Sequence, residues 1–180
     1  MKLRSAALRK LLLVVHVATS VGSMGAIAVF LLLAIIGAID TALPPLAIYP
    51  ALSRMAWWII VPFVSGALLI GIIQSLVTPW GLFRHYWIVA KLLLTLFALG
   101  VLLLQLGGID QLARAAADGT FDRETLATIQ ASLVLHASGG LIVVLLALVL
   151  SIYKPRGLTP YGLRRSPGMS IPREPTDRSS

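Results

Sequence analysis

Apolar positions in this chain fall into four long, nearly uninterrupted runs, separated by short segments that carry charge, proline and polar residues. The runs cover residues 11–39, 55–76, 86–106 and 126–152. Each run reaches or exceeds the roughly 20 residues that an α-helix needs to cross a ~30 Å hydrocarbon core. Lipid cannot hydrogen-bond an exposed backbone N–H or C=O, so such runs cross it as helices. The pattern predicts an all-α, polytopic membrane protein with a four-transmembrane-helix bundle.

The four runs and their links predict one transmembrane domain over residues 1–153. The remaining residues, 154–180, contain five prolines with scattered arginine and serine. Such a composition cannot bury enough apolar surface to fold, so it predicts a disordered, basic, proline-rich tail on the cytoplasmic side.

Prolines and glycines, which interrupt helices, refine the predicted helix boundaries at three places. The link Thr41–Arg54 holds three prolines, which predicts an extended or turning segment. Pro62 lies inside the second run and predicts a kink there. Gly107 and Gly108 predict the end of the third helix, because adjacent glycines are poor helix formers.

Composition and charge narrow the functional classes. The chain of 180 residues is 58% hydrophobic and only 12% charged, which excludes an ordinary soluble domain. The net charge of +8 comes from basic residues that flank the helices, the pattern of an orientation signal. We therefore expect the lipid bilayer as a partner and no nucleic acid. The absence of cysteine excludes disulfides, iron–sulfur clusters and thiolate-ligated haem.

The distribution of charge also predicts the orientation in the membrane. Four spans place both termini on the same side, and both termini are basic. The link between the second and third helices is basic as well, whereas the link between the third and fourth is acidic. By the positive-inside rule, both termini are predicted to be cytoplasmic.

Ionisable residues inside membrane helices are costly, so they are the first candidates for a functional site. The predicted helices contain His16, Lys91 and His136 but no aspartate or glutamate, which counts against transport coupled through carboxylates. The helical rise places His16 about 8 Å and Lys91 about 9 Å below the cytoplasmic surface. His136 lies about 15 Å below the opposite surface. His16 and Lys91 can therefore face one site, whereas the two histidines match poorly as axial ligands of one haem.

Each of these candidates has a structural alternative. Either histidine can make an interhelical hydrogen bond or can ligate haem or a metal. The long side chain of Lys91 can instead reach the cytoplasmic headgroups. Small residues recur at four-residue spacing in the first two helices and cluster in the fourth, which favours close packing within the bundle, a homo-oligomer or a protein partner.

Two stretches carry a resemblance to known proteins. They are LLLVVHVATSVGSMGAIA (residues 11–28) and TPWGLFRHYWIVAKLLLT (residues 78–95). They resemble an uncharacterised family of bacterial four-helix integral membrane proteins, a domain of unknown function, which implies a bacterial plasma-membrane location. The pattern is more distantly similar to the HemJ-type protoporphyrinogen oxidase and the CopD-like membrane proteins. The resemblance to the HemJ-type oxidase implies haem b binding through His16 and Lys91.

The oxidase activity is not carried over from that resemblance. The oxidase type has an aromatic residue after the histidine where this chain has Ser23, Met24 and Gly25, and helices 2 and 4 offer no further match. Whether the protein is an enzyme stays open.

The sequence therefore leaves two hypotheses from different classes. The first is an integral plasma-membrane protein that binds b-type haem or a metal within the bundle. His16 would be the ligand, Lys91 would pair with a propionate, and His136 would be a second, separate ligand. No cluster for a bare metal ion is predicted. The alternative is a non-catalytic membrane subunit or an assembly or scaffold protein, with a transporter as the third choice.

Overall fold

The structure is a computed structural model that describes residues 6–39, 44–78, 81–120, 123–155 and 157–164. Four of its helical segments are long and apolar enough to span a membrane. The predicted all-α bundle of four spanning helices is thereby confirmed for the described residues. The helices are α1 (Ala6–Ile39), α2 (Pro45–Met55), α3 (Val61–Val77), α4 (Tyr86–Asp118), α5 (Arg123–Tyr153) and α6 (Pro160–Arg164), with a π-helical turn (Ala56–Ile60) that joins α2 to α3 into one span.

The spans are arranged as a ring around a common interior. Consecutive spans pack against each other, and α1 also packs against α5, which closes the ring. The short links make neighbouring spans antiparallel. We call the end where α1 begins and α5 ends the terminal end, and the opposite end the distal end.

The third span is longer than the sequence predicted. Instead of ending at Gly107 and Gly108, α4 continues to Asp118. Its end is set by Gly119, which adopts the left-handed conformation (φ 66°) and donates its N–H to the Ala115 carbonyl. The added turns bury Leu112 against the bundle, and this packing outweighs the weak helix preference of two glycines.

The second span is also longer, because the proline-containing link is mostly helical. Pro45 occupies the first turn of α2, where a missing N–H costs nothing. Pro50 lies inside the helix, but α2 buries Tyr49 and Leu52 almost completely. Apolar burial on this face compensates for the hydrogen bond lost at Pro50. Residues 40–43 of this link lie outside the described part of the chain.

The predicted kink at Pro62 takes the form of a π turn. The Val61 N–H bonds to the Ala56 carbonyl five residues earlier, rather than four. Pro62 has no N–H to continue the regular ladder, and the widened turn lets the helix pass this position. The turn places Trp57 and Ser53 beside α4, where both donate hydrogen bonds to Asp110.

The first part of the tail packs against the link between α3 and α4. Leu158 forms an isolated antiparallel bridge with His85. The Thr159 N–H donates to the Arg84 carbonyl at 3.0 Å, and Thr159 itself is buried. Gly162 lies so close to the Arg84 backbone that a Cβ could not fit there. The sequence predicted disorder from residue 154 onward; residues 157–164 are ordered here, and residues 165–180 lie outside the described part.

Candidate ligand-binding cavity

The interior of the bundle contains a cavity of about 460 Å³. Its walls come from α1, α3, α4 and α5, and they are mostly apolar. His16, Lys91 and His136, the three residues singled out from the sequence, all lie on these walls. The fold thus brings one predicted residue from each of three different spans to a common space.

Small residues on α5 explain why this space exists. Ala137, Gly139, Gly140 and Ala147 all line the cavity. A Cβ added at Gly139 or Gly140 would meet nothing within 4 Å. Because neither glycine has a side chain to fill this space, the interior stays open beside these two residues.

At one end of the cavity, Lys91 carries a positive charge without an acidic partner among the described residues. Its Nζ donates to Ser151 Oγ at 2.5 Å and lies 5.9 Å from the centre of the Trp87 ring. Lys154 lies within electrostatic reach of the same ammonium and adds positive charge. We call this the lysine end. A half-buried ammonium with only neutral partners favours an anionic group.

His16 lies at the same end, and its ring is held against α3. A Cβ at Gly71 would lie 3.1 Å from the His16 ring, so a side chain at this position would push the ring away from α3. His16 Nδ1 is buried and has no hydrogen-bond partner in the described structure. Most buried polar atoms are paired, so an unpaired ring nitrogen marks a group that lacks its ligand or donor. Lys91 lies within electrostatic reach of this ring.

At the other end, His136 belongs to a polar cluster with Gln105 and Ser132. His136 Nδ1 lies 2.7 Å from the Ser132 carbonyl oxygen and 3.2 Å from Ser132 Oγ. The Gln105 side-chain amide hydrogen-bonds with Ser132 Oγ at 3.0 Å and also contacts His136 Nδ1. We call this the glutamine end.

The two ends are well separated along the bundle. Lys91 and Gln105 are 14 residues apart on α4, which corresponds to about 21 Å of helical rise. His16 and Lys91 share one end and His136 lies at the other. This separation is larger than the roughly 7 Å that the depths estimated from the sequence give for the two histidines in a ~30 Å core. Two axial ligands of one haem must be nearly level, so His16 and His136 cannot be such a pair.

Sequence reasoning missed several polar partners. Trp87 is not among the candidates from the sequence, although its spacing of four residues from Lys91 on a helix indicates the contact. Ser151 has no sequence signal, because its contact with Lys91 depends on how α4 and α5 pack. Asp110 was placed in a link, but it lies within α4 and accepts hydrogen bonds from neutral donors.

The described residues contain no group of three or more His, Cys, Asp or Glu that could hold a bare metal ion. No protein-family model, curated protein or solved structure matches this chain. The candidate function therefore depends on the cavity and its polar ends.

Proposed function

We propose that this integral membrane protein binds a b-type haem at the lysine end of the cavity. His16 would be an axial ligand, and Lys91 would pair with a propionate. Two groups at one end of an apolar cavity carry the proposal. They are a buried imidazole nitrogen and an ammonium, which among the described residues have no hydrogen-bond partner and no acidic partner, respectively.

The residues suit an amphipathic, anionic and metal-containing molecule. Apolar walls would surround the macrocycle, Lys91 would donate hydrogen bonds to a carboxylate, and imidazole is a common ligand of haem iron. Haem would supply a redox-active iron, while the chain would exclude water and set the orientation through Lys91. His136 lies about 21 Å away along the bundle and is outside the reach of this haem.

Spectroscopy of the full-length protein tests this proposal. After expression with haem precursor and purification in mild detergent, we expect a b-type reduced-minus-oxidised spectrum at near-stoichiometric level. His16→Ala should abolish the chromophore, because it removes the ligand. Lys91→Met should retain the apolar contacts but lower haem occupancy, because a propionate would lose its counter-charge.

His85→Ala is the matched control. His85 is a histidine of the link between α3 and α4 that does not line the cavity, so its loss should leave the spectrum unchanged. A colourless, well-folded protein, or full haem occupancy in His16→Ala, would contradict the proposal. A stoichiometric protein partner that co-purifies with such a colourless protein would favour the alternative of a non-catalytic subunit or assembly protein.

We also propose a bacterial plasma-membrane location with both termini in the cytoplasm. The terminal end carries Arg9, Lys10, Arg84 and Lys154 and no acidic residue among the described ones. The arginines of the distal end are instead accompanied by acidic residues: Arg54, Arg114 and Arg123 beside Asp110, Asp118 and Glu124. This asymmetry supports the positive-inside orientation. A reporter that is active only outside the cytoplasm should work when inserted at Thr120 and fail at the C-terminus; the reverse pattern would refute the orientation.

A further inference from the structure

We infer that the glutamine end of the cavity is a second binding site, which takes a neutral, lipid-soluble phenol or quinol through a hydrogen bond to His136. This site is separate from the lysine end, and the inference does not depend on haem binding. Its basis is the fixed orientation of the His136 ring beside open apolar space.

The hydrogen-bond partners of His136 determine where its proton lies. Nδ1 is 2.7 Å from the Ser132 carbonyl oxygen, and a carbonyl oxygen only accepts. Nδ1 therefore carries the proton and donates it. The Gln105 amide can rotate to present its oxygen to the same N–H, with Ser132 Oγ as the donor to that oxygen. In this tautomer the outer nitrogen, Nε2, has a lone pair and accepts hydrogen bonds.

Nothing in the described structure donates a hydrogen bond to Nε2. All contacts of the His136 ring within that part of the chain involve Nδ1. The side chain is exposed, yet it lies in a membrane span and lines an apolar cavity. An acceptor in such surroundings is stabilised by a ligand that brings its own hydroxyl group. Asp110, the nearby carboxylate, already accepts from Ser53 and Trp57. The chemistry of this end therefore favours a neutral donor.

The wall beside His136 leaves room for a ring. Gly139 and Gly140 lie one turn along α5 and have no neighbouring atom within 4 Å of a would-be Cβ. Two adjacent glycines leave a strip of helix backbone without side chains, which an aromatic ring can approach closely. A phenol or quinol ring could rest on this strip and donate its hydroxyl to Nε2, with any apolar tail along the cavity.

Nitrogen NMR of the full-length, haem-free protein in detergent tests both parts of the inference. With ¹⁵N-labelled histidine, the unmodified protein should show His136 as the Nδ1–H tautomer. Titration with a ubiquinol that carries one isoprenoid unit, kept reduced under argon, should shift the Nε2 resonance saturably. The corresponding quinone lacks the hydroxyl donors and should bind on the order of tenfold more weakly, the difference expected for one hydrogen bond.

Two substitutions complete the test. His136→Leu should weaken quinol binding on the order of tenfold, whereas His85→Leu, outside the cavity, should leave it unchanged. An Nε2–H tautomer, equal affinity for quinol and quinone, or unaltered binding in His136→Leu would each overturn the inference. Because haem is absent throughout, a failure here is distinguishable from a failure of the haem proposal.

Discussion

One buried tyrosine takes part in hydrogen bonds that connect three spans near the distal end. Tyr49 is only 2% exposed, and its hydroxyl donates to the Gly37 carbonyl at 2.8 Å. Gln130 of α5 donates to the same carbonyl at 3.1 Å and contacts the tyrosine hydroxyl. The Gly37 carbonyl of α1 thus receives donors from α2 and α5. Gly37 has room for both only because it lacks a Cβ, which would lie 3.2 Å from the hydroxyl.

At this scale we expect Tyr49→Phe to lower the free energy of unfolding by about 0.5–1.5 kcal/mol, the usual net value of one hydrogen bond. The ring and its apolar contacts remain, so the loss isolates the hydroxyl. Denaturation of the detergent-solubilised protein by SDS would measure it. Tyr153→Phe is the control, because Tyr153 is 79% exposed. Equal effects of the two substitutions would show that Tyr49 contributes nothing through its hydroxyl.

At the scale of helices, small residues determine how closely α1 and α3 approach. A Cβ at Gly22 would lie 2.7 Å from the Phe63 ring, and one at Gly71 would crowd the His16 ring. The four-residue repeats of small residues in the first two spans therefore include two glycines that pack between these spans. The clustered glycines of α5 have a different role, since they line the cavity.

Gly22→Val should separate α1 from α3 and destabilise the bundle by about 1–3 kcal/mol, the range for overpacking. Gly25→Val is a matched control, because it makes the same chemical change on the same helix where nothing lies within 4 Å. The difference in unfolding free energy between the two variants reports the α1–α3 contact. Indistinguishable stabilities would mean that Phe63 moves aside without cost.

At the scale of the whole molecule, dense packing and open space occupy different parts of the bundle. On α4, the buried residues are Ile88 near the terminal end and then Leu106, Ile109, Leu112 and Ala116 toward the distal end. One face of the stretch between Ile88 and Leu106 instead lines the cavity, with Lys91, Thr95 and Ala98 among its residues. The distal half thus stabilises the fold, which leaves the rest of the interior available for ligands.

A substitution that fills the cavity should therefore raise the stability of the ligand-free protein and weaken ligand binding. Gly140→Leu replaces a helical glycine and extends a side chain into open space, so the ligand-free protein should gain at least about 0.5–1 kcal/mol. Binding of quinol should fall, because the same space beside His136 is taken. Thermal unfolding and ligand titration measure the two effects.

Gly100→Leu is the control that separates the effect of filling the cavity from the effect of replacing a helical glycine. Gly100 also has open space around it, but it is exposed and does not line the cavity. Its substitution should stabilise the helix and leave binding unchanged. If Gly140→Leu bound quinol as well as the unmodified protein, the space beside Gly140 would not be the quinol site.

The sequence by itself determined the four spanning helices, because lipid allows few alternatives to a helix for an apolar segment of about 20 residues. It also identified His16, Lys91 and His136, since ionisable groups stand out in apolar runs, and helical rise alone separated His16 from His136 in depth. These inferences depend on local pattern and require no knowledge of neighbouring spans.

Only the tertiary structure decided which polar groups meet. The contact of Lys91 with Ser151 and the cluster around His136 join residues that are far apart in sequence, and both depend on the packing of α4 against α5. The extension of α4 past Gly107 and of α2 through Pro50 was likewise set by burial against neighbouring helices. Packing energy over many contacts exceeds the small local preferences of glycine and proline, and local preference is all that a single segment reveals.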